Sequence, residues 1–183
     1  SFLQEEEKTQ IERAQKDPRF FAPLYERYYD AIFRYVYRRV DEEEQAYDIT
    51  SSVFVKALQS LPKFEYRGLP FSAWLFRIAK SELYQSFRDQ KSKRTVSIEN
   101  VVVQQVVEEW TDTYSEQDKA RLLNALKQLK EQQLQLVEMR FFEKRSFKEI
   151  GEICGLSENN AKVKTFRAVL KLKEFFHQKE YFL

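Results

Sequence analysis

The residues best suited to chemistry in this sequence are basic side chains in a helical pattern near the C-terminus, between Ser146 and Lys173. Ser146 stands three residues before Glu149, which is the spacing of a capping box at the start of a helix. Gly155 can adopt a positive φ angle cheaply and end that helix. Ser157 can then cap a second helix. The spacing therefore predicts two helices joined by a tight turn, the helix-turn-helix motif.

The second predicted helix has one apolar side and several polar faces. The apolar side carries Ala161, Thr165, Ala168 and Leu172. The other faces carry Asn160, Lys162, Lys164, Arg167 and Lys171. A basic second helix of this motif can enter the DNA major groove, where Arg and Lys contact guanine and Asn contacts adenine. A helical hairpin with a solvated basic face is the alternative that this stretch leaves open.

A second candidate for nucleic-acid contact is the loop over 63–71, KFEYRGLPF. Its aromatic and basic residues alternate: Lys63, Phe64, Tyr66, Arg67 and Phe71. Exposed rings stack on any unpaired base while cations meet phosphates, so such a loop can hold unstacked bases. The same rings could instead close the ends of neighbouring helices. The loop sequence does not choose between these two interpretations.

Long helices must position these residues, because three glycines and four prolines are few for a chain of 183 residues. Apolar residues recur at i, i+3 and i+4 over 19–40, the period of an amphipathic helix. Further helices are predicted over 2–16, about 44–60 and about 72–92, with two more between 116 and 142. The predicted fold class is all-α.

The chain is expected to form two small helical domains joined by an acidic linker, with the helix-turn-helix in the C-terminal domain. The predicted boundaries are 1–94 for the first domain, 95–115 for the linker and 116–183 for the second domain. The linker has four acidic residues, no Lys or Arg, and no clear helical period. Its valines indicate that it lies against another part of the protein rather than drifting freely.

Several classes of function are not expected. The single cysteine, Cys154, excludes an intramolecular disulfide, and one histidine, His177, leaves no familiar zinc spacing and no Ser/His/Asp set. No Gly-rich phosphate loop is present, so we expect no catalytic residues, no metal and no cofactor. The sequence shows no signal-peptide pattern and no run of 18 apolar residues. We therefore expect a cytoplasmic protein without membrane insertion.

The sequence resembles the small bacterial RNA polymerase sigma factors of the extracytoplasmic-function (ECF) group, in the sigma-70 family. Residues 46–54, AYDITSSVF, are similar to the family helix A-E-D-l-t-Q-x-x-F. Residues 64–88 are similar to F-x-g…F-x-x-W-L-x-x-I-A-x-N-x-x-x-D-x-x-R. Residues 139–143 and 157–168 are similar to L-R-y-f-e and S-x-g-T-V-K-S-R-l-x-R-A. Each stretch alone is moderately specific for the family. The resemblance is specific because all three occur in this order, with the acidic segment between the second and the third.

The resemblance implies a factor that is not an enzyme, binds bacterial core RNA polymerase and directs promoter-specific transcription initiation. The first domain would be sigma region 2, which docks on the polymerase clamp helices and recognises and melts the minus-10 element. The second would be sigma region 4, which reads the minus-35 element. The family also implies an anti-sigma factor as a partner.

The resemblance assigns three sets of site residues. The implied polymerase contacts are Tyr47, Asp48, Ser51 and Phe54. The implied minus-10 contacts are Phe64, Tyr66, Arg67, Arg77, Lys80, Ser81, Tyr84, Gln85 and Arg88. The implied minus-35 contacts are Ser157, Asn159, Asn160, Lys162, Lys164, Arg167 and Lys171.

Some residues depart from the family pattern. Tyr47 replaces the first acid of the docking helix, which leaves Asp48 as the matching carboxylate. Ser81 and Gln85 stand where the family has Asn and Asp, so the base preference at minus-10 is open. Gly151 replaces an Ala, at a loss of about 1 kcal/mol of helix propensity. Residues 161 and 165 are smaller than usual on the buried side, which predicts a closer approach of the recognition helix to its support.

Two other functions fit parts of the sequence. A stand-alone helix-turn-helix regulator would bind specific DNA without polymerase, and its first domain would sense a ligand or dimerise. An enzyme acting on nucleic acid would use the aromatic loop, but it needs an acid/base pair that the sequence does not supply.

Overall fold

The structure is a computed structural model that describes residues 2–66 and 69–178, and the prediction for Arg67 lies outside the described residues. Within these ranges the backbone is helical, with one isolated antiparallel bridge between Val40 and Arg94 and no named strand, so the predicted all-α class is confirmed. The α-helices are α1 (Phe2–Lys16), α2 (Ala22–Tyr37), α3 (Glu43–Ser60), α4 (Phe71–Arg88), α5 (Asn100–Trp110), α6 (Glu116–Gln128), α7 (Glu131–Val137), α8 (Phe147–Cys154) and α9 (Glu158–His177). Short 3-10 turns (Pro18–Phe21 and Leu61–Lys63) and a π-helical turn (Glu138–Phe142) extend them.

The chain divides into two compact units after Thr95. In the first unit α3 packs against both α2 and α4, and α1 packs against α2 and the two 3-10 turns. The buried faces of these helices follow the apolar period seen in the sequence. Their core residues include Leu24, Ile32, Val36, Val53, Ala57, Leu75, Ala79 and Leu83.

Two helices of the first unit are shorter than predicted. The helix expected over 19–40 starts only after the 3-10 turn Pro18–Phe21 and ends at Tyr37. The helix expected to reach residue 92 ends at Arg88, because Gln90 adopts a positive φ of 57° that no α-helix contains. Hydrophobic periodicity fixed the middle of each helix but not its ends.

The second unit holds α5 to α9, with α9 packed against α6, α7 and α8. The segment 95–115, predicted as the linker from a sequence with no clear helical period, contains α5, which packs against α6. Val103 and Val107, one helical turn apart, are fully buried, and the Trp110 ring meets the Phe176 ring at 5.3 Å. Adjacent valines on other faces hid this spacing in the sequence.

The helix-turn-helix forms as the sequence predicts. The Ser146 hydroxyl accepts from the Glu149 N–H at 3.1 Å, and Gly155 ends α8 with a φ of 71°. The Ser157 hydroxyl accepts from the Asn160 N–H at 3.0 Å to start α9. The predicted apolar side of α9 is buried: Ala161, Thr165, Ala168 and Leu172.

We predict that Val103→Ala lowers the free energy of unfolding of the second unit by about 2 kcal/mol, because it removes buried methyl groups and leaves a cavity. Urea unfolding followed by Trp110 fluorescence, in a Trp74→Phe background, reports on this unit alone since the chain has two tryptophans. Val101→Ala is the matched control, because that side chain is 64% exposed. Equal effects of the two substitutions would contradict the packing of α5.

Candidate polymerase and nucleic-acid interfaces

The predicted polymerase contacts lie on α3, and three of the four are at the surface. Tyr47, Asp48 and Ser51 are exposed. The Tyr47 ring stacks on Phe33 with centroids 4.6 Å apart, so its position is fixed by α2. Asp48 lines a cavity of about 290 Å³ between α3 and α4, together with Gln85.

The fourth predicted polymerase contact, Phe54, is not at the surface. Its side chain is 4% exposed, and its ring packs against Phe21, Tyr25 and Tyr29 at centroid distances of 6.4, 4.9 and 6.0 Å. The polymerase contact of Phe54 therefore stays a prediction, and the burial of the ring argues against it. The ring instead holds α3 against α2, which positions the exposed residues of α3.

The predicted minus-10 residues of α4 form a polar strip. A helix places residues at i, i+4, i+7 and i+11 on one side, which here brings Arg77, Ser81, Tyr84 and Arg88 together with Lys80 beside them. Tyr84 and Lys80 are half-buried, and the others are exposed. Gln85 is at the edge of the strip, where it accepts from Arg88 at 2.8 Å and donates to the Asp89 carboxylate at 2.9 Å.

The aromatic loop contains one buried ring, Phe64, and one partly exposed ring, Tyr66. Phe64 is 7% exposed, and its ring contacts the rings of Phe71 and Trp74 at 5.4 and 5.0 Å, so it closes the helix ends. The direct DNA contact of Phe64 stays a prediction, and the burial of the ring argues against it. Tyr66 is 43% exposed and packs edge-on against Phe64. Among the described aromatic rings of this loop, that of Tyr66 is accessible enough to stack on a base.

Sequence reasoning missed the residue that holds Tyr66. The Tyr66 hydroxyl donates to the Glu7 carboxylate of α1 at 3.3 Å. Burial and the nearby negative charge of Glu7 raise the pKa of Tyr66 to about 12, so the phenol stays protonated and able to donate. Glu7 lies 59 positions earlier in the chain, and no spacing pattern could have linked the two residues.

The polar residues of α9 fall on two sides of its outer face. Asn160, Lys164, Arg167 and Lys171 recur at spacings of 4, 3 and 4 and share one strip, while Lys162 lies on the other side. Ser157 is engaged as the helix cap, and Asn159 is exposed in the first turn. Lys171 also pairs with Glu174 at 3.2 Å. The structure thus brings together four of the seven predicted minus-35 contacts.

An apolar strip runs between these polar groups and was also missed. Val163, Phe166 and Leu170 are exposed on the outer face of α9. The Phe166 ring contacts Phe147 of α8 at 5.8 Å, and Lys162 Nζ lies 6.0 Å from the same ring. Their i, i+3, i+7 spacing could have been read from the sequence, but it was masked by the basic residues among them.

Gly151 is where α8 approaches the turn that leads into α9. Its carbonyl accepts from the Leu156 N–H at 2.8 Å. A Cβ built on Gly151 would lie 2.5 Å from the Leu156 carbonyl oxygen and 3.3 Å from two backbone atoms of Ser157. The glycine therefore does more than lower helix propensity, because it allows the turn to pass against the helix.

Other kinds of site receive no support. Within residues 2–66 and 69–178, no group of three or more His, Cys, Asp or Glu side chains is placed to hold a metal ion. In the same part of the chain no helix is long and apolar enough to cross a membrane.

These observations define a helical protein of two units, of which the second carries a basic helix-turn-helix. Residues 24–93 match the family model of Sigma-70 region 2, and residues 119–172 match that of Sigma-70 region 4. The chain is 32% identical to the RNA polymerase sigma factor YlaC of Bacillus subtilis (strain 168) over 154 residues, which cover 82% of this chain and 88% of YlaC. The chain therefore belongs to the sigma-70 family of RNA polymerase sigma factors, within its ECF group.

One further relative is a sigma factor, and one solved structure shares the fold. The ECF RNA polymerase sigma factor BldN of Streptomyces coelicolor is 33% identical over 165 residues, which cover 88% of this chain but 62% of BldN. The sigma factor RpoE of Bartonella quintana, solved in complex with the anti-sigma factor NepR, has a TM-score of 0.56 at 19% identity, covering 85% of this chain and 95% of RpoE. At that identity the RpoE structure shows the fold alone.

Family membership decides between the functions considered from the sequence. Sigma factors are transcription initiation factors and not enzymes, as the resemblance implied. The match of residues 24–93 to region 2 also disfavours the stand-alone regulator, whose first domain would serve ligand sensing or dimerisation.

We predict that Gly151→Ala lowers the stability of the second unit by about 1 kcal/mol. The gain in helix propensity is about 1 kcal/mol. The overpacking of the added methyl group against backbone atoms costs about 1–3 kcal/mol and exceeds that gain. Urea unfolding monitored by Trp110 fluorescence in the Trp74→Phe background measures the difference, with Lys148→Ala on the exposed face of α8 as the control. A Gly151→Ala variant more stable than the parent would contradict the close approach.

Proposed function

We propose that this chain binds bacterial core RNA polymerase and directs initiation at promoters whose minus-10 and minus-35 elements it recognises. The observation that carries the proposal is that the two family matches fall in two separate helical units, each of which exposes polar and charged side chains of the predicted sites. The first unit would act as region 2 and the second as region 4. We also propose a cytoplasmic location, because core polymerase acts in the cytoplasm.

The polymerase-docking surface in this proposal is the exposed side of α3. Asp48 places an exposed carboxylate on this side of α3, and the exposed Ser51 lies one turn away on the same side. Tyr47 adds a partly exposed ring fixed against Phe33. A charge with fixed neighbours supports both steering and specificity toward a basic partner surface.

The minus-10 surface would combine Tyr66 with the polar strip of α4. Opening of a duplex unstacks bases at a cost of about a few kcal/mol per step, which a ring can offset by stacking on an exposed base. The strip supplies Arg77, Lys80 and Arg88 for phosphates, and Ser81, Tyr84 and Gln85 for hydrogen bonds. We propose Phe64 as the support of Tyr66 rather than as a base contact.

The minus-35 surface would be the outer face of α9. Arg167 is exposed at the middle of the strip that Asn160, Lys164 and Lys171 share. Arg reads guanine and Asn reads adenine in the major groove, whereas lysines suit phosphates. We propose Arg167 and Asn160 as base readers, and Lys162, Lys164 and Lys171 as phosphate contacts. Asn159 and the N-cap residue Ser157 would contact a DNA phosphate at the N-terminus of α9.

A protein partner is proposed as well. RpoE, whose fold is similar, was solved in complex with an anti-sigma factor. We propose that an anti-sigma factor controls this chain by covering its polymerase and DNA surfaces.

Transcription from a random promoter library tests the proposal. Bacterial core polymerase plus this chain should yield transcripts from a defined sequence class, and the chain alone should bind those sequences weakly. Asp48→Lys should lower polymerase affinity about tenfold or more, because it reverses a charge within the interface. Asp30→Lys on the exposed side of α2 is the control. Tight specific DNA binding without polymerase, or no sequence-dependent transcript, would overturn the proposal.

We predict that Arg167→Ala weakens recognition of the preferred minus-35 sequence by about 1–3 kcal/mol, which is the worth of one bidentate base contact. Transcription with the variant should no longer distinguish the preferred base from its alternatives at one position. Polymerase affinity should not change, since α9 is not the docking helix. Lys127→Ala removes one exposed charge from α6 of the same unit and is the control. Equal loss of polymerase affinity and promoter recognition would argue against a base contact.

A further inference from the structure

Glu7 of α1 is a shared acceptor for three side chains of the first unit. Its carboxylate accepts from the Tyr28 hydroxyl at 2.6 Å and from Arg27 Nη1 at 2.9 Å, both on α2. It also accepts from the Tyr66 hydroxyl at 3.3 Å. The Glu7 side chain is 16% exposed, so this carboxylate is mostly shielded from solvent by its neighbours in the first unit.

A second residue of α1 holds the backbone of the same aromatic segment. Gln15 Nε2 donates to the Leu61 carbonyl at 3.1 Å and to the Phe64 carbonyl at 2.8 Å. Helix α1 therefore contacts the segment at its backbone before Tyr66 and at the Tyr66 hydroxyl. The cavity of about 280 Å³ between them is lined by Lys8, Ile11, Glu12, Gln15, Phe64, Glu65 and Tyr66.

The charge of Glu7 decides what kind of role it can have. A carboxylate repels DNA phosphates, so Glu7 is unsuited to contact the backbone itself. It can instead fix the Tyr66 ring before DNA arrives, which removes the entropy loss of ordering that side chain on binding. Arg27 offsets the negative charge locally, and it is held in place by a bond of 2.8 Å to Gln10.

We propose that Glu7 is a positioning residue for promoter opening, which holds Tyr66 in the orientation that receives an unpaired minus-10 base. The inference rests on the proposed function and adds to it a contribution from α1, which lies outside the Sigma-70 region 2 match at 24–93. In this arrangement α1 does not bind DNA. It makes the aromatic segment ready to bind.

Glu7→Gln tests the proposal, because it keeps the shape of the side chain and removes its charge. Holoenzyme formed from core polymerase and each variant is given a promoter recovered with the parent chain. Permanganate reactivity of minus-10 thymines follows strand opening, and a separate titration measures polymerase affinity. We expect Glu7→Gln to open the promoter about fivefold more slowly, the effect of about 1 kcal/mol for one hydrogen bond, at unchanged polymerase affinity. Glu6→Gln, in the same turn and exposed, is the matched control and should open at the parental rate.

Tyr66→Phe gives an independent arm, since it keeps the ring and removes the hydroxyl that Glu7 accepts from. We expect the same slowing, and the double variant Glu7→Gln/Tyr66→Phe should be no slower than the slower single variant, because both substitutions act on the Tyr66–Glu7 hydrogen bond. Hydrogen exchange of the amides of 63–66 should be faster in Glu7→Gln than in Glu6→Gln. This readout reports the positioning directly.

The outcomes separate the inference from the function it rests on. If the parental chain fails to open any promoter, the proposed function and the inference both fall. If the parent opens the promoter and Glu7→Gln opens it equally fast or faster, only the inference is overturned, and faster opening would mean that Glu7 restrains Tyr66. Parallel loss of polymerase affinity and opening would overturn it as well, because Glu7 would then support the fold in general.

Discussion

The orientation of α9 depends on one close approach, that of the turn backbone to Gly151 of α8. The Gly151 carbonyl accepts from the Leu156 N–H at 2.8 Å, and the space that a Cβ would occupy is taken by the Leu156 carbonyl oxygen. Gly155, with a φ of 71°, then lets the chain reverse toward Ser157. With this turn fixed, the buried side of α9 faces the core and its polar strips face outward. The surface proposed to read DNA is thus a consequence of backbone packing, not of the basic residues themselves.

The parts of the fold that follow from local patterns could be predicted from the sequence. Caps at Ser146 and Ser157, and the buried 4-3-4 spacing of α9, depend on neighbours within one or two turns. Helix α5 escaped this reasoning because a run of valines places apolar groups on several faces. Only contact with α6 selects Val103 and Val107 as the buried pair. The ends of α2 and α4 depend on turn conformations that periodicity does not encode.

The sequence was enough to locate the segments that carry the candidate sites, but not to tell which of their side chains reach the surface. Motif spacing located the proposed docking helix, the aromatic loop and the basic helix. It could not tell that Phe54 and Phe64 are buried, because an aromatic residue in a motif looks the same whether it faces a partner or the core. Nor could it link Glu7 to Tyr66, a contact between residues 59 positions apart. The sequence supplies the candidate residues, and the structure shows which of their side chains are buried and which are exposed.

The charges on the two surfaces are too few for strong DNA binding by either unit alone. The proposed minus-10 strip offers three cations, and the proposed minus-35 surface offers four, of which Lys171 is already paired with Glu174. Each phosphate neutralised contributes a salt-dependent increment, and a protein with about 6–10 such contacts loses about 10³–10⁵ in affinity between 50 and 200 mM salt. The formal net charge of +2 adds little long-range attraction. Under the proposed function, specific affinity must therefore come from holding both units on one promoter at once, so that the second binding event is intramolecular. In the proposed function core polymerase is the partner that holds both units.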